Sequence, residues 1–224
     1  WYPSTARHDE AAAVTVTRGV VVEGIVVQVA AGPSRVIAGV VLDEAGRSVP
    51  GVMLHVAQDA EAPDMPRSPG SRVLRPDGRF SVAAYGHGLI SMFAVADRDG
   101  LPLARAILVD PQQQQQGDLH VVLRPGAGVR GRIVTRDGEQ LPVLHAASFT
   151  PVDSSVQSTL SIRPDGTFGG VTLPGPHRVS VFVEKGWRVE ELTVNGRRTE
   201  VVDQVVLGAG ATTELVFAIA PGGR

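Results

Sequence analysis

The sequence predicts an all-β protein built from tandem β-sandwich modules. Three observations carry this reading. Valine is prominent in the apolar fraction while aromatic residues are only 4%, and its branched Cβ suits a pleated, half-buried sheet. There are 26 glycines and 16 prolines, which makes turns frequent and long helices unfavourable. A set of turn and core residues also recurs at matching spacings along the chain, the signature of a repeat.

In the repeat, Gly39, Gly46 and Pro50 stand at the same spacings as Gly131, Gly138 and Pro142. Further on, Arg75-Pro76-Asp77-Gly78-Arg79-Phe80 matches Arg163-Pro164-Asp165-Gly166-Thr167-Phe168, with a shorter intervening loop in the second copy. A partial third copy precedes both. The run from Val20 to Val29 resembles the ends of the full copies, Asp118 to Leu123 and Thr213 to Ile219. Each is followed by Gly-Pro or Pro-Gly: Gly32-Pro33, Pro125-Gly126 and Pro221-Gly222. This divides the chain into the C-terminal strands of a truncated preceding module (1–33), one full module (34–125) and a second (126–224). Junctions this short imply limited freedom between neighbours.

Taken in order, the elements read as short strands and turns. Val14, Val16, Val20, Val22, Ile25, Val27 and Val29 form an apolar set suited to a sheet face, so residues 1–33 are expected to be strands without their own module. Alternation places Ile37, Gly39 and Val41 inward, then Val52, Leu54 and Val56. Asp77-Gly78 and Asp165-Gly166 are turn chemistry, because glycine accepts the positive φ that tight turns demand. Phe80 and Phe168 follow as equivalent core anchors. Pro111 and Gln112 to Gln116 form a low-complexity loop. In the second copy Val129, Gly131 and Ile133 alternate with Arg130 and Arg132. Asn195-Gly196 signals a hairpin. Strands with turn signals this frequent predict about seven per module, an immunoglobulin-like sandwich.

Composition narrows the function. Hydrophobic residues reach 43%, enough for a core, and the net charge of −2 leaves no basic stripe for nucleic acid. Without cysteine there is neither a disulfide framework nor a thiolate metal site. No apolar run approaches the roughly 18–20 residues of a membrane span. The first residues, Trp1-Tyr2-Pro3-Ser4-Thr5, lack the features of a signal peptide. The chain reads as part of a longer protein, with any export signal upstream.

The first copy runs Gly39-Val40-Val41-Leu42-Asp43-Glu44-Ala45-Gly46-Arg47-Ser48-Val49-Pro50-Gly51 and, after a variable loop, Asp77-Gly78-Arg79-Phe80. This resembles carboxypeptidase regulatory-like domains. The second copy departs at Val143, where the pattern has glycine, but keeps Leu173-Pro174-Gly175-Pro176; the first has Tyr85-Gly86-His87-Gly88 there. The resemblance covers nearly all of residues 34–220. It implies transthyretin-like or carbohydrate-binding-like sandwiches, found as repeats in exported bacterial proteins, including those of acidobacteria, outer-membrane receptors and surface adhesins. It implies an extracellular, periplasmic or cell-surface location, and the family name does not imply peptidase activity, because in the carboxypeptidases that gave it a separate domain does the catalysis.

Chemical candidates are few. His8, His55, His87, His120, His145 and His177 form no metal-ligand spacing and are expected in solvent or turns. Asp97-Arg98-Asp99-Gly100 begins like a calcium loop, but the position of the closing glutamate is Leu108, so a turn is expected. No serine lies in a Gly-x-Ser-x-Gly context. The single lysine, Lys185, lies late in the second module, which excludes the usual lysine cross-link of adhesin sandwiches. No catalytic residue, metal site or cofactor is expected. Trp187 and Tyr85 are candidates for stacking on sugar rings; Trp1 and Tyr2 belong to the incomplete module. The leading expectation is a non-catalytic structural or interaction repeat whose partners are neighbouring repeats, a glycan or another surface protein. The alternative is a carbohydrate-binding module.

Overall fold

The computed structural model of the chain describes residues 12–26, 34–58, 70–85, 89–113, 118–136, 138, 140–153 and 156–222. These residues contain strands and turns and no helix. The first group of strands is β1 (Ser34–Leu42), β2 (Met53–Gln58), β3 (Gly70–Val73), β4 (Arg79–Tyr85), β5 (Ile90–Arg98), β6 (Leu101–Val109), β7 (Leu119–Val122) and β8 (Arg124–Pro125). They form two sheets, ordered β4-β1-β7 and β3-β2-β5-β6-β8. Ile37, Val41, Leu54, Phe80, Met92 and Val121 lie in the core between them.

The second group is β9 (Ala127–Thr135), β10 (Leu144–Pro151), β11 (Ser158–Ser161), β12 (Thr167–Thr172), β13 (Gly175–Val183), β14 (Trp187–Val194), β15 (Arg197–Arg198), β16 (Gln204–Leu207) and β17 (Thr212–Pro221). Its sheets run β12-β9-β17-β14-β15 and β11-β10-β13-β16. A separate core gathers Val129, Ile133, Phe149, Phe168, Leu215 and Phe217. Each module is therefore two layers around one apolar centre. In both, the first strand is flanked by an antiparallel strand and a parallel one: β4 and β7 for β1, β12 and β17 for β9.

The repeated motif is a packing device. Phe80 pairs with Gly39 and Phe168 with Gly131 across their ladders. A methyl group on Gly39 would lie 2.5 Å from the Phe80 ring, and one on Gly131 even closer to the Phe168 ring. Glycine on the first strand therefore makes room for the ring to cross over it. The Asp-Gly turn fixes the approach: Gly78 and Gly166 adopt φ of 71° and 82°, and their carbonyls accept from the amides of Val41 and Ile133, both at 2.9 Å. The rings of Phe149, Phe168 and Phe217 then pack at centroid distances of 6.1 and 6.3 Å.

The modules differ in where their sixth strand goes. In the first, Asp99 and Gly100 have φ of 53° and 81°, a two-residue turn with positive φ at both centres. Such a turn holds β6 beside β5 as a tight hairpin. In the second, three residues (Glu184-Lys185-Gly186) separate β13 from β14, and β14 crosses to the opposite sheet to pair with β17. The hairpin at Asn195-Gly196 (φ 49° and 77°) then adds β15, and β16 takes the place beside β13.

One expectation fails in the described residues. Residues 12–26 form no strand, and every one of them is exposed; a backbone bond runs locally from the Val20 amide to the Thr17 carbonyl. An apolar ribbon without a third strand or a core buries too little surface to offset the chain entropy lost on ordering it.

Candidate functional site

The junction between the modules is the most constrained feature. Chain leaves the first module through β7, switches sheets at Leu123 to pair as β8 with Leu103 and Ala104 of β6, and enters β9 after the single residue Gly126. Gly126 is bonded on both sides. Its amide donates to the Pro102 carbonyl of the first module at 2.8 Å, and its carbonyl accepts from the Gly210 amide of the second at 2.6 Å. Gly128 donates in turn to the Ala211 carbonyl at 2.8 Å. There is no space for a side chain at residue 126, because a Cβ would lie 2.8 Å from Cβ of Ala104 and 2.9 Å from its nitrogen.

Beside this junction the β5–β6 turn leans over the outer face of the second module. The resulting groove encloses about 810 Å³ between Asp97, Gly100 and Pro102 on one wall and Arg130, Arg132 and Glu214 on the other. Asp97 is committed to its own turn, where its carboxylate accepts from the Gly100 amide at 2.8 Å. This accounts for the Asp97-Arg98-Asp99-Gly100 run as a hairpin. The groove carries charges of both signs on exposed strands, and Thr167 and Thr212 are among its lining residues.

A second polar feature braces the first module at the same end. Asp43, nearly buried, accepts from the amides of Ala45 and Arg47 at 2.9 Å each. Its other oxygen accepts from Nε of Arg47 at 3.0 Å and from Nη1 of Arg98 at 2.6 Å. The Arg47 amide, with the two guanidinium groups, holds this carboxyl far below the usual carboxylate range despite the opposing effect of burial. The loop after β1 is thereby tied to the end of β5. At the far side of the second module, Glu190 is likewise lowered, first by Arg188 and then by Arg136.

Hydroxyl and imidazole groups meet at one place. Ser158 and Thr172 share a hydrogen bond of 2.8 Å, Thr172 Oγ1 lies 3.4 Å from Nε2 of His177, and Nδ1 of His177 lies 3.0 Å from the Gly175 carbonyl. All three side chains are buried, His177 completely, so no substrate reaches them. His177 is thus not the solvent or turn histidine expected from sequence. The alternation that buries Val179 also turns His177 inward, a signal the sequence did contain. Burial lowers its pKa, opposed by the Gly175 bond. His55 is half-buried against Phe93, with ring centroids 5.7 Å apart, and burial lowers its pKa as well. His120 and His145 are exposed; His8 and His87 lie outside the described residues.

The stacking candidates are not brought together. Trp187 opens β14 opposite Pro221, partly buried against the second core. Tyr85 ends β4 opposite Ser34 at the distal end of the first module, and its side chain lies outside the described part of the structure. Trp1 and Tyr2 lie outside the described residues. Among the described residues no group of three or more His, Asp or Glu is placed to share a metal ion, and no helix is long and apolar enough to cross a membrane.

The ladders and the two cores define an all-β protein of tandem immunoglobulin-like sandwich modules. No family model matches the chain, and no curated protein matches it. Among solved structures it is similar to a Streptococcal ancillary pilin, at 14% identity over 87% of this chain and 67% of that one, with a TM-score of 0.31. It is similar to the shaft pilin SpaA from Lactobacillus rhamnosus GG at 8% identity over 86% and 99% of the two chains, with a TM-score of 0.32. It is also similar to the Bacillus anthracis TIE protein at 9% identity and a TM-score of 0.32, covering 84% of this chain and 34% of that one.

Proposed function

We propose that the chain is a non-catalytic structural repeat that holds its neighbours at a fixed spacing and orientation in an exported or cell-surface bacterial protein. The observation that carries this reading is Gly126, a one-residue junction whose amide and carbonyl are bonded to different modules. A junction bonded on both sides restrains the relative motion of the two modules, as a spacer requires. The unit of repetition is one sandwich, 34–125 and 126–224, of the carboxypeptidase regulatory-like type. The resemblance to carboxypeptidase regulatory-like repeats supports a location outside the cytoplasm, and its glycine, proline and Asp-Gly positions, being turn and packing residues, support a non-catalytic role. Neighbouring repeats are the first partners.

The test is orientation in solution. Residual dipolar couplings measured on residues 34–122 and 127–221 of the intact chain should fit one common alignment tensor. Two independent tensors would show that the modules tumble separately, and the spacer reading would fail.

A further inference from the structure

The two modules leave one edge unequal. In the second, the strand parallel to β9 is β17, and its far side is covered by β14. In the first, the corresponding strand is β7, and its far side has no partner among the described residues, because β6 stays in the other sheet. An open strand edge is a template for another strand. The same chain carries an unpaired apolar run: Val20, Val21, Val22, Ile25 and Val26 are all exposed. Its sequence has the pattern of the strand that covers the edge in the second module. Val22-Glu23-x-Ile25-x-Val27 corresponds to Val189-Glu190-x-Leu192-x-Val194. The β14 ladder has a bulge between Val189 and Glu191, and the residue matching Glu191 is Gly24, with φ of 76°, a conformation some bulges require.

We propose that residues 20–26 add to the free edge of β7 as an antiparallel strand of their own chain, giving the first module the cover that β14 gives the second. Gly39 and Gly131 are equivalent and pair with Leu119 and Leu215. Carrying over the β14 ladder places Val26 opposite His120, Ile25 opposite Val121 and Gly24 opposite Val122. Ile25 then takes the place of Leu192, which is fully buried, whereas Ile25 is 43% exposed in the undocked segment. The connection reaches. His120 is level with Val40, so Val26 would sit roughly 20 Å along the strands and about 10 Å across two strand spacings from Ser34, about 22 Å in all. Residues 27–33 allow about 26–29 Å. Residues 20–26 then belong with the first module instead of a preceding one.

The absence of cysteine from the chain makes the test clean. The double variant Val26→Cys/His120→Cys places both thiols at exposed positions, so folding is not at stake. Mild oxidation should give a disulfide within the monomer, and a control pair, Val26→Cys/Arg178→Cys, should give none. In the intact chain, Ile25→Pro should speed exchange of the edge amides of residues 119–122 by roughly tenfold or more while leaving residues 212–219 unchanged. A cross-link no more frequent than in the control, a cross-link found only between two chains, or equal exchange in the proline variant would each overturn the proposal.

Discussion

Replacing Gly126 by alanine puts a methyl carbon 2.8 Å from Cβ of Ala104, 2.9 Å from the Ala104 nitrogen and 3.0 Å from the carbonyl carbon of Leu103. Two of these atoms are backbone of β6, so no rotamer change relieves the contact. Overpacking of this kind costs about 1–3 kcal/mol. The alternative is for the junction to swing open. That loses the bonds from Gly126 to Pro102 and from Gly210 to Gly126, each worth about 1 kcal/mol net. Either route destabilises by about 1–3 kcal/mol, or roughly 4–8 °C in melting midpoint for each kcal/mol in a module of this size. The loss should fall on the coupling between modules while both cores stay intact. Calorimetry should show the transitions of the two modules separating, and dipolar couplings should no longer fit one tensor. An unchanged midpoint with an unchanged common tensor would refute the role assigned to residue 126.

Three further outcomes follow from the cores and the buried polar groups. Phe168→Ala should cost about 3–5 kcal/mol in chemical denaturation, because the ring fills the space over Gly131 between Phe149 and Phe217. Asp43 is ionised in the fold with its pKa lowered, so its contribution is present in full above the unfolded carboxyl range near 4 and is lost as pH falls below it; Asp43→Asn should flatten the acid limb of stability against pH and lower the midpoint at pH 7. His177 also has a lowered pKa, so its linked stability is complete above the ordinary imidazole value near 6.5 and declines below it, by at most about 1.4 kcal/mol per pH unit. Denaturation at pH 7.5 and pH 5.5 should show a smaller difference in His177→Gln than in the parent chain.

Much of this architecture was legible in the sequence because it rests on local rules. Asp-Gly and Asn-Gly turns follow from the conformational freedom of glycine, and the equivalence of Phe80 and Phe168 as core anchors follows from their shared spacing, whereas their pairing with Gly39 and Gly131 is visible only in the ladders. What was not legible depends on partners distant along the chain. Nothing local announces that β14 leaves the sheet of β13, although the longer link at Glu184-Lys185-Gly186 permits it. The apolar set from Val14 to Val29 has the pattern of a strand, but a pattern supplies only a face, and a strand needs an edge to pair with; the described part, residues 12–26, forms none. Residue type alone points His177 to solvent, whereas its register with Val179 places it inside. The junction was visible only as brevity; the double bonding of Gly126 depends on Pro102 and Gly210, neither of which carries a motif.

The parallel pairing of β1 with β7, and of β9 with β17, sets how each module bears tension. Chain enters a module along one of these strands and leaves along its immediate neighbour in the same direction, so a pull on the two ends slides the strands past each other. The hydrogen bonds of that ladder are then loaded together in shear, where antiparallel neighbours pulled from one end would unzip bond by bond. In the second module the sheared ladder runs from Thr212 to Ile219 against Gly128 to Thr135, and in the first only from Leu119 to Val122 against Gly39 to Leu42. Under a rising force, once the short β8–β6 pairing and the Gly126–Pro102 bond have given way, the first module should therefore rupture before the second.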